Sequence, residues 1–286
     1  MKFKAEIEKA NILIEALPYI KKFSGQTIVI KIGGSLMINT HLKEQIAKDI
    51  VLLKYIGLNP VIVHGGGQEI SNWMSKVGKK SVFIDGLRVT DHETMEITEM
   101  VLSGKIGNEI VSLINKHGGK AVSLSGKDGH LFKSLKRKSK SNQDLGFVGD
   151  ITQVDNSLLN TLHLDNYIAV IASVGISEDG DTLNMNADHV AEQIAIGTNA
   201  LKLFYLTDVQ GISKNSKLVQ KLTLKSAKLL QKHKDIRGGM IPKLHCAIQA
   251  IQKGVSHVHI INGNLDHALL LELFTDTGTG TMITKE

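Results

Sequence analysis

Short apolar runs alternate with amphipathic stretches from Thr27 onward. Apolar runs bounded by glycine or polar residues predict buried strands at Ile28–Ile32, Val61–Val63, Ala121–Leu124, Tyr167–Ala172, Lys202–Leu206 and His257–Ile261. Apolar positions at helical spacing predict helices between them, at Leu42–Tyr55, Glu93–Asn115, Ala187–Ile196 and Lys243–Lys253. This alternation is typical of an α/β protein with a mainly parallel sheet covered on both faces.

Two segments depart from that rhythm. Residues 4–22 have apolar positions at helical spacing, with Pro18 inside the pattern and Gly25 as a stop, so we expect a helix with a kink or a break at Pro18. This helix precedes the first strand and either packs on its own domain or contacts another subunit.

The stretch Phe132–Val154 predicts a hairpin or an excursion near one edge of the sheet. With 3 prolines and no clear linker, two lobes sharing one continuous sheet are expected.

Two glycine-rich turns follow predicted strands, in IVIKIGGS at 28–35 and VIVHGGGQ at 61–68. A strand that ends in glycines before a helix leaves backbone N–H groups free to bind phosphate or carboxylate. Neither turn is a P-loop or a GxGxxG motif. Tight strand-to-helix packing explains most single turns of this kind, but two of them together with Lys31 indicate two bound anions. Phosphoryl transfer is therefore a candidate reaction.

Other polar residues follow the later strands, where ligands of open parallel sheets collect. They lie in the segments NMNADHV at 184–190, LTDVQGI at 206–212 and RGGMIPK at 237–243. Taken singly, each residue has an ordinary explanation: Asp188 favours a helix start, Lys243 is an exposed lysine, and Arg88 forms a surface ion pair. Taken together, two lysines, an aspartate and three glycine turns favour phosphoryl transfer. A carboxylate acceptor is already ionised and needs no general base, so positioning and charge neutralisation suffice.

Composition narrows the class of protein. The chain has 286 residues, 42% of them apolar, and a formal charge of +6. A single cysteine, Cys246, excludes an internal disulfide and a cysteine-based zinc site, which fits a reducing compartment. No apolar run is long enough to span a membrane, and the first twenty residues resemble no targeting peptide, so a soluble protein is expected. The basic stretch 133–140 has no interleaved aromatic residues, which argues against nucleic-acid binding.

Over essentially its whole length, the chain resembles the acetylglutamate kinases of the amino acid kinase family. The motifs that carry the resemblance are KIGGS at 31–35, HGGG at 64–67, GLRVTDHETMEI at 86–97, LSGKDG at 124–129, NMNAD at 184–188, LTDVQGI at 206–212 and GGMIPK at 238–243. The glycine turns are shared across the wider family. GLRVTDHETMEI and LSGKDG are much more specific to acetylglutamate kinases.

The resemblance implies ATP-dependent phosphorylation of the side-chain carboxylate of N-acetyl-L-glutamate, the second step of arginine synthesis, on a three-layer α/β/α sandwich. It implies an N-terminal helix at 1–25 and a kinase domain at 26–286, with an acetylglutamate lobe near 26–175 and an ATP lobe near 176–286. Lys31 and Lys243 would stabilise the transferring phosphoryl group, and Asp188 would hold them. Acetylglutamate would be bound by Gly66, Gly67, Arg88 and Asn184. ATP would be bound by Gly33, Gly34, Thr207, Asp208, Gly211 and Gly239, with Mg²⁺ carried by the nucleotide and no metal site on the protein.

The segment EALPYIKKFSGQT at 15–27 resembles the extra helix of arginine-inhibited, hexameric members, where it interlaces dimers. This implies a homohexamer built as a trimer of dimers and feedback inhibition by L-arginine. The inhibitor would bind near Tyr19, Lys214, His259, Glu272 and Gly278. Some such kinases of photosynthetic organisms bind the signalling protein PII, which is a further candidate partner. The expected location is the cytoplasm, or the plastid stroma if the gene is plastid-encoded.

Three other functions compete with this interpretation. A carbamate, glutamate or uridylate kinase would keep the fold and the lysines, but GLRVTD with Arg88 argues against it. A non-catalytic arginine sensor or PII-binding scaffold would not need Lys31, Asp188 and Lys243. A nicotinamide-dependent dehydrogenase is disfavoured because no GxGxxG motif opens the first unit.

Overall fold

The computed structural model describes residues 3–37, 39–139, 142–275 and 278–286. Its strands are β1 (Thr27–Ile32), β2 (Asn59–His64), β3 (Phe83–Ile84), β4 (Leu87–Arg88), β5 (Ala121–Leu124), β6 (Phe132–Lys138), β7 (Asp144–Val154), β8 (Ile168–Ala172), β9 (Val174–Ser177), β10 (Thr182–Met185), β11 (Lys202–Thr207), β12 (Ser213–Lys214), β13 (Lys217–Leu218), β14 (Lys221–Thr223), β15 (His257–Asn262) and β16 (Thr281–Thr284). Its helices are α1 (Lys4–Phe23), α2 (Thr40–Tyr55), α3 (Gly67–Lys76), α4 (His92–Glu99), α5 (Gly107–Lys116), α6 (Ser157–Leu164), α7 (Ala187–Gly197), α8 (Leu224–Leu230), α9 (Met240–Gln252) and α10 (Ala268–Phe274). A π-helical segment, Met100–Ile106, joins α4 to α5.

The main sheet has the strand order β14-β16-β15-β11-β1-β2-β8-β5. Its six strands from β15 to β5 are mutually parallel, whereas β16 runs antiparallel to β15 and parallel to β14. All six predicted strands are confirmed, and they are the six parallel strands β15, β11, β1, β2, β8 and β5. Because β1 pairs with β11 on one side and β2 on the other, strands from the first and the second half of the chain belong to one continuous sheet.

Alternation along β1 determines which side chains meet which helices. Ile28 and Ile30 belong to the core that includes α2, α5 and α10, on one face of the sheet. Val29 belongs to the core on the other face, which includes α6, α7, α8 and α9. The result is the expected three-layer sandwich. Lys31 has the same parity as Val29 and therefore points towards α7.

A second, smaller sheet interrupts the main pattern. The antiparallel strands β6 and β7 form the predicted hairpin, and with β9 and β10 they close a four-stranded barrel. The hairpin is confirmed, although it lies in this separate barrel and not at an edge of the main sheet. The barrel matters for function because β10 leads directly into α7.

Two helical predictions need correction. Helix α1 continues through Pro18, so of the expected kink or break the break is wrong. The ring removes one donor, but Tyr19 packs edge-on against Phe274 of α10 at 6.0 Å and anchors the last turns. The predicted helix Glu93–Asn115 is not one regular helix, because the π-helical segment adds a residue to one turn where Leu102 and Ile106 pack on Gly66. In the described ranges, no helix is both long and apolar enough to cross a membrane.

Candidate active site

Two lysines and one aspartate from three different elements meet at the carboxyl end of β1. Lys31 Nζ lies 2.7 Å from Asp188 Oδ1. Lys243 Nζ, from the first turn of α9, donates to Asp188 Oδ2 at 2.9 Å. The side chains of Lys31, Asp188 and Lys243 are 9%, 7% and 17% exposed. The three predicted catalytic residues therefore form one buried cluster with two positive charges and one negative charge.

The local sequence fixes Asp188 at the start of α7. Asn186 caps the helix, because its Oδ1 accepts hydrogen bonds from the backbone N–H groups of Asp188 at 2.8 Å and His189 at 3.3 Å. Tyr205 on β11 is fully buried and donates its hydroxyl to the Asp188 carbonyl at 3.1 Å. The helix start is thus tied to the neighbouring strand, which gives the carboxylate a fixed position.

The charge of Asp188 is maintained by its partners. Burial opposes ionisation of this carboxyl, but the positive charges of Lys31 and Lys243 outweigh burial and hold its pKa below the ordinary value. Asp188 therefore stays ionised at neutral pH and holds both ammonium groups in one place.

A cavity of about 240 Å³ opens beside this cluster. Its wall combines the Lys31–Asp188 ion pair and the Arg88 guanidinium with several glycines and apolar side chains. The lining residues are Lys31, Gly34, Gly65, Gly66, Gly67, Ile70, Phe83, Gly86, Leu87, Arg88, Leu102, Val148, Ser173, Asn184, Met185, Asn186, Ala187 and Asp188. The structure thus brings all four predicted acetylglutamate-binding residues into one cavity.

Arg88 is a buried cation without a carboxylate partner within 4 Å in the described part of the chain. Its Nη2 donates to the Gly67 carbonyl at 2.8 Å and to Ser71 Oγ at 2.9 Å, and its Nη1 donates to Ser81 Oγ at 2.6 Å. Its Cζ lies 4.7 Å from the centroid of the Phe83 ring. Burial lowers the pKa of Arg88 from its usual value, although a guanidinium remains charged. An uncompensated guanidinium held in a cavity wall is suited to bind an anion, and its planar fork favours a carboxylate.

Asn184 and Arg88 are linked through Thr90. Asn184 Nδ2 donates to Thr90 Oγ1 at 3.1 Å, and Thr90 Oγ1 donates to the Arg88 carbonyl at 2.9 Å. Thr90 is fully buried. Strand β10 of the small barrel is thereby connected to the β3–β4 hairpin across the cavity. Sequence analysis missed Thr90 because nothing in GLRVTD distinguishes a bridging threonine from an ordinary strand residue.

Gly66 needs its lack of a side chain. A Cβ at this position would lie 2.3 Å from Ile106 Cδ1 and 2.8 Å from Leu102 Cδ2, both in the π-helical segment. The π-helical segment therefore packs directly against the backbone of the second glycine turn, and a residue with a side chain at position 66 would push the two apart.

The six residues predicted to bind ATP differ in their exposure to solvent. Gly34 lines the cavity, and the Gly33 N–H donates to the Leu206 carbonyl at 3.1 Å. Thr207 is buried at the end of β11, where its Oγ1 accepts from the Val209 N–H at 3.1 Å. Asp208 and Gly239 are exposed, and Gly211 is buried with φ +151°. Of the six residues, Gly34 is the one that lines the cavity.

Four of the five residues predicted to bind arginine surround the contact between β15 and the C-terminal part of the chain. His259 Nδ1 lies 2.7 Å from Glu272 Oε1, and a Cβ built on Gly278 would lie 3.1 Å from that oxygen. Tyr19 packs nearby on Phe274. Lys214 lies in the separate β12–β13 hairpin, opposite Lys217.

Sequence analysis missed Lys202, a buried cation in the same cluster. Its Nζ lies 3.2 Å from His259 Nε2 and 5.4 Å from the centroid of the Phe23 ring. Burial lowers the pKa of Lys202 to about 8. One indication of this role was visible in the sequence: Lys202 is the first residue of an otherwise apolar strand, and a lysine that is buried needs a partner for its charge.

No group of three or more His, Cys, Asp or Glu side chains in residues 3–37, 39–139, 142–275 and 278–286 is placed to hold a metal ion. The cavity is lined by the cations Lys31 and Arg88, which are suited to bind anions.

Similarity to known proteins agrees with this geometry. The model of the amino acid kinase family matches residues 26–262. The chain is 55% identical over 289 residues to the acetylglutamate kinase of Caldanaerobacter subterraneus subsp. tengcongensis, covering 100% of this chain and 96% of that protein.

Among solved structures, N-acetylglutamate synthase from Neisseria gonorrhoeae with coenzyme A and N-acetyl-glutamate has a TM-score of 0.86 at 29% identity, covering 96% of this chain and 63% of the synthase. The same synthase with coenzyme A and L-arginine has a TM-score of 0.82 at 28% identity, covering 95% of this chain and 64% of the synthase. The chain therefore spans less than two thirds of the synthase. It belongs to the amino acid kinase family.

Proposed function

We propose that the chain transfers the γ-phosphoryl group of ATP to the side-chain carboxylate of N-acetyl-L-glutamate, as an acetylglutamate kinase of arginine synthesis. The observation that carries this proposal is the pairing, in one cavity, of the uncompensated Arg88 guanidinium with the Lys31–Asp188 pair. An acceptor with two carboxylates would place one at Arg88 and the other beside Lys31. The name and the 55% identity of the curated relative support the same activity.

Arg88 would bind the carboxylate that does not react. Its guanidinium is preoriented by Gly67, Ser71 and Ser81, so little side-chain entropy is lost on binding. Asn184, held through Thr90, would bind a further polar group of the acceptor. The reacting carboxylate needs no general base because it is already ionised.

Lys31 and Lys243 would stabilise the negative charge on the transferring phosphoryl group. Asp188 fixes both ammonium groups before the nucleotide binds, so no reorganisation is needed in the transition state. The phosphates of ATP would lie at the glycine turn after β1, at the end of β11 and the loop that follows it, and at the start of α9, since backbone N–H groups at such turns and helix starts bind anions. These positions are Gly33, Gly34, Thr207, Asp208, Gly211 and Gly239. Mg²⁺ bound to the nucleotide would neutralise part of the phosphate charge.

The direct test is ATP-dependent acyl-phosphate formation, trapped with hydroxylamine as the hydroxamate. N-acetylglutamate is compared with glutamate, aspartate and carbamate at equal concentration. We expect turnover with N-acetylglutamate alone. Turnover with another acceptor would favour a different amino acid kinase, and no turnover with any acceptor would favour the scaffold function.

We also propose that L-arginine inhibits the enzyme by binding at the Lys202–His259–Glu272 cluster. The buried Glu272 carboxylate would bind the guanidinium of arginine. It is held in place because the Thr279 N–H donates to its Oε2 at 2.6 Å and His259 contacts its Oε1. Burial opposes ionisation of Glu272, but these hydrogen bonds, with His259 the larger contributor, keep its pKa below the ordinary value. Lys202 offers a cation to the α-carboxylate. Tyr19 links the cluster to α1 through Phe274.

Arginine titration of activity tests this proposal. In Glu272→Gln we expect the inhibitory constant for arginine to rise by about 10- to 100-fold, because a charged hydrogen bond contributes roughly 1.5–3 kcal/mol. Glu178→Gln is the control, since Glu178 is exposed. Wild-type activity that is unchanged by saturating arginine would refute inhibition, and an unchanged constant in Glu272→Gln would refute the location.

We further propose that α1 joins dimers into a hexamer. This helix exposes five large apolar side chains: Ile7, Ile12, Leu13, Ile14 and Leu17. Leu13 is 73% exposed, and so many exposed apolar side chains on one helix favour contact with another subunit. We expect Leu13→Glu to reduce the mass measured by light scattering from six chains to two. Leu164→Glu, at an exposed leucine on α6, should leave the mass unchanged. A wild-type dimer, or a hexameric Leu13→Glu, would contradict the proposal. PII binding stays a prediction.

A further inference from the structure

The motif LSGKDG at 124–129 lies outside the cavity wall and forms the turn after β5. Hydrogen bonds within the motif fix the conformation of this turn, because Asp128 Oδ2 accepts from the Ser125 N–H at 2.7 Å and from Ser125 Oγ at 2.8 Å. The Gly126 N–H donates to the carbonyl of Val174 on β9 at 2.8 Å. The turn is therefore attached to the small barrel and has a fixed place beside it.

The ammonium group of Lys127, in this turn, joins two elements that are far apart in the chain. Lys127 Nζ donates to Glu99 Oε1 at 2.7 Å, at the end of α4, and to Thr182 Oγ1 at 3.1 Å, at the start of β10. The side chains of Lys127 and Glu99 are 34% and 36% exposed. Ion pairs this open to solvent usually add little to stability. Stability is therefore a weak reason for this three-way contact.

Both partners of Lys127 lie close in the chain to residues of the cavity wall. Thr182 and Asn184 are two residues apart on β10, so they share one face of the strand, and Asn184 lines the cavity. Glu99 directly precedes the π-helical segment, whose Leu102 also lines the cavity. Lys127 thus connects two parts of the wall without belonging to it.

We propose that Lys127 is a positioning residue for the acceptor, which holds the start of β10 against the end of α4 and thereby sets the position of Asn184 in the cavity. This proposal rests on the proposed kinase function. The hydrogen bond to Thr90 at 3.1 Å fixes the amide of Asn184, and Lys127 fixes the strand that carries it. Without the lysine, β10 loses this link to α4, and the amide shifts relative to Arg88.

The groups that act on the transferring phosphoryl group should not respond to this contact. Although β10 leads into α7, Asp188 has separate anchors in the Asn186 cap and the Tyr205 hydroxyl. Loss of Lys127 should therefore weaken acceptor binding and leave the transfer step unchanged. A contact that only stabilises the fold would instead reduce the amount of folded protein and leave the kinetics of the folded enzyme as they are.

Steady-state kinetics with ATP and N-acetylglutamate, expressed per folded enzyme, test the proposal. In Lys127→Met we expect KM for N-acetylglutamate to rise about threefold to tenfold, the size of a modest coupling between neighbouring residues, with kcat and KM for ATP within about twofold of wild type. Thr182→Val removes the hydroxyl and keeps the shape, so the increase in the double variant should be smaller than the product of the single increases. Lys116→Met is the control, because Lys116 pairs with Glu44 at 2.6 Å and neither residue lines the cavity.

Hydrogen–deuterium exchange without substrates tests the effect on β10 independently of turnover. In Lys127→Met we expect the backbone amides of β10 to exchange faster, and those of β1 to exchange as in wild type. Unchanged exchange in β10, wild-type KM for N-acetylglutamate in Lys127→Met, or a fall in kcat without a rise in KM would overturn the proposal. Increases in KM that multiply in the double variant would also overturn it. Failure of the kinase function itself would appear as an inactive wild type, and the exchange test would still decide whether Lys127 holds β10.

Discussion

Replacing Asp188 with asparagine tests whether one carboxylate holds both lysines. Asp188→Asn keeps the size of the side chain but leaves Lys31 and Lys243 facing a neutral amide, at sites where they are 9% and 17% exposed. The carboxylate now lies 2.7 Å and 2.9 Å from the two ammonium groups. Without it, the lysines repel each other, and one must lose its proton or turn towards solvent.

The expected size of the effect follows from burial. Removing one partner of a buried ion pair destabilises a protein by about 3–5 kcal/mol, and we expect the lower end because Lys243 lies closer to solvent. Displacing a catalytic group by about 1 Å lowers rates roughly 100-fold, so kcat should fall by at least that factor. KM for N-acetylglutamate should change little, since Arg88 is untouched.

The assay combines hydroxamate-trapped turnover with urea unfolding. Asp181→Asn is the matched control, because Asp181 pairs with Lys136 at 2.6 Å but is 36% exposed, and its loss should change stability by less than about 1 kcal/mol. Adding Lys243→Met to Asp188→Asn should restore part of the lost stability, since only one buried cation then remains. Wild-type kcat in Asp188→Asn, or a stability loss no larger than that of Asp181→Asn, would refute the reasoning.

Two further predictions concern stability. Burial lowers the pKa of His64 from 6.5 to about 4, so between these pH values the unfolded state binds a proton that the folded state excludes. The contribution of His64 to the free energy of unfolding should therefore be full above pH 6.5 and fall by about 3 kcal/mol as the pH decreases to 4. Urea unfolding of His64→Gln between pH 6.5 and 4 should show a shallower slope than wild type, and an equal slope would contradict this. Gly66→Ala should lose about 1–3 kcal/mol through overpacking against Ile106, and adding Ile106→Val, which removes Cδ1, should restore part of it. Gly67→Ala, with open space at its Cβ, is the control, and equal losses at both glycines would contradict the contact.

The sequence was sufficient for the parallel core of the fold. Strand β8 is a continuous apolar run and β1 is apolar from Ile28 to Ile30, which is the pattern of strands buried on both faces. Strands β14 and β16 were not predicted, because they are short and lie together near the end of the sheet. The small barrel was only half predicted: a hairpin was visible in the sequence, but its closure by β9 and β10 depends on tertiary pairing.

The sequence predicted those residues of the site that belong to recognisable motifs, and no others. Lys31, Asp188 and Lys243 were expected to act together, and their ion pairs at 2.7 Å and 2.9 Å agree with that expectation. Thr90 and Lys202 were not expected, because their significance comes from neighbours more than fifty residues away in the chain, Asn184 and His259. The π-helical segment was also missed, since a helical apolar pattern does not reveal one extra residue in a turn.

The central claim is that Arg88 binds the acceptor while Lys31 acts on the transferring group. The most direct test compares the kinetics of Arg88→Ala and Lys31→Ala with those of Arg137→Ala, a half-buried arginine paired with Asp150. Arg88→Ala should raise KM for N-acetylglutamate by about 10- to 100-fold through loss of roughly 1.5–3 kcal/mol, and Lys31→Ala should lower kcat by about 100-fold or more. Wild-type turnover in Lys31→Ala, or an unchanged KM in Arg88→Ala, would contradict the account.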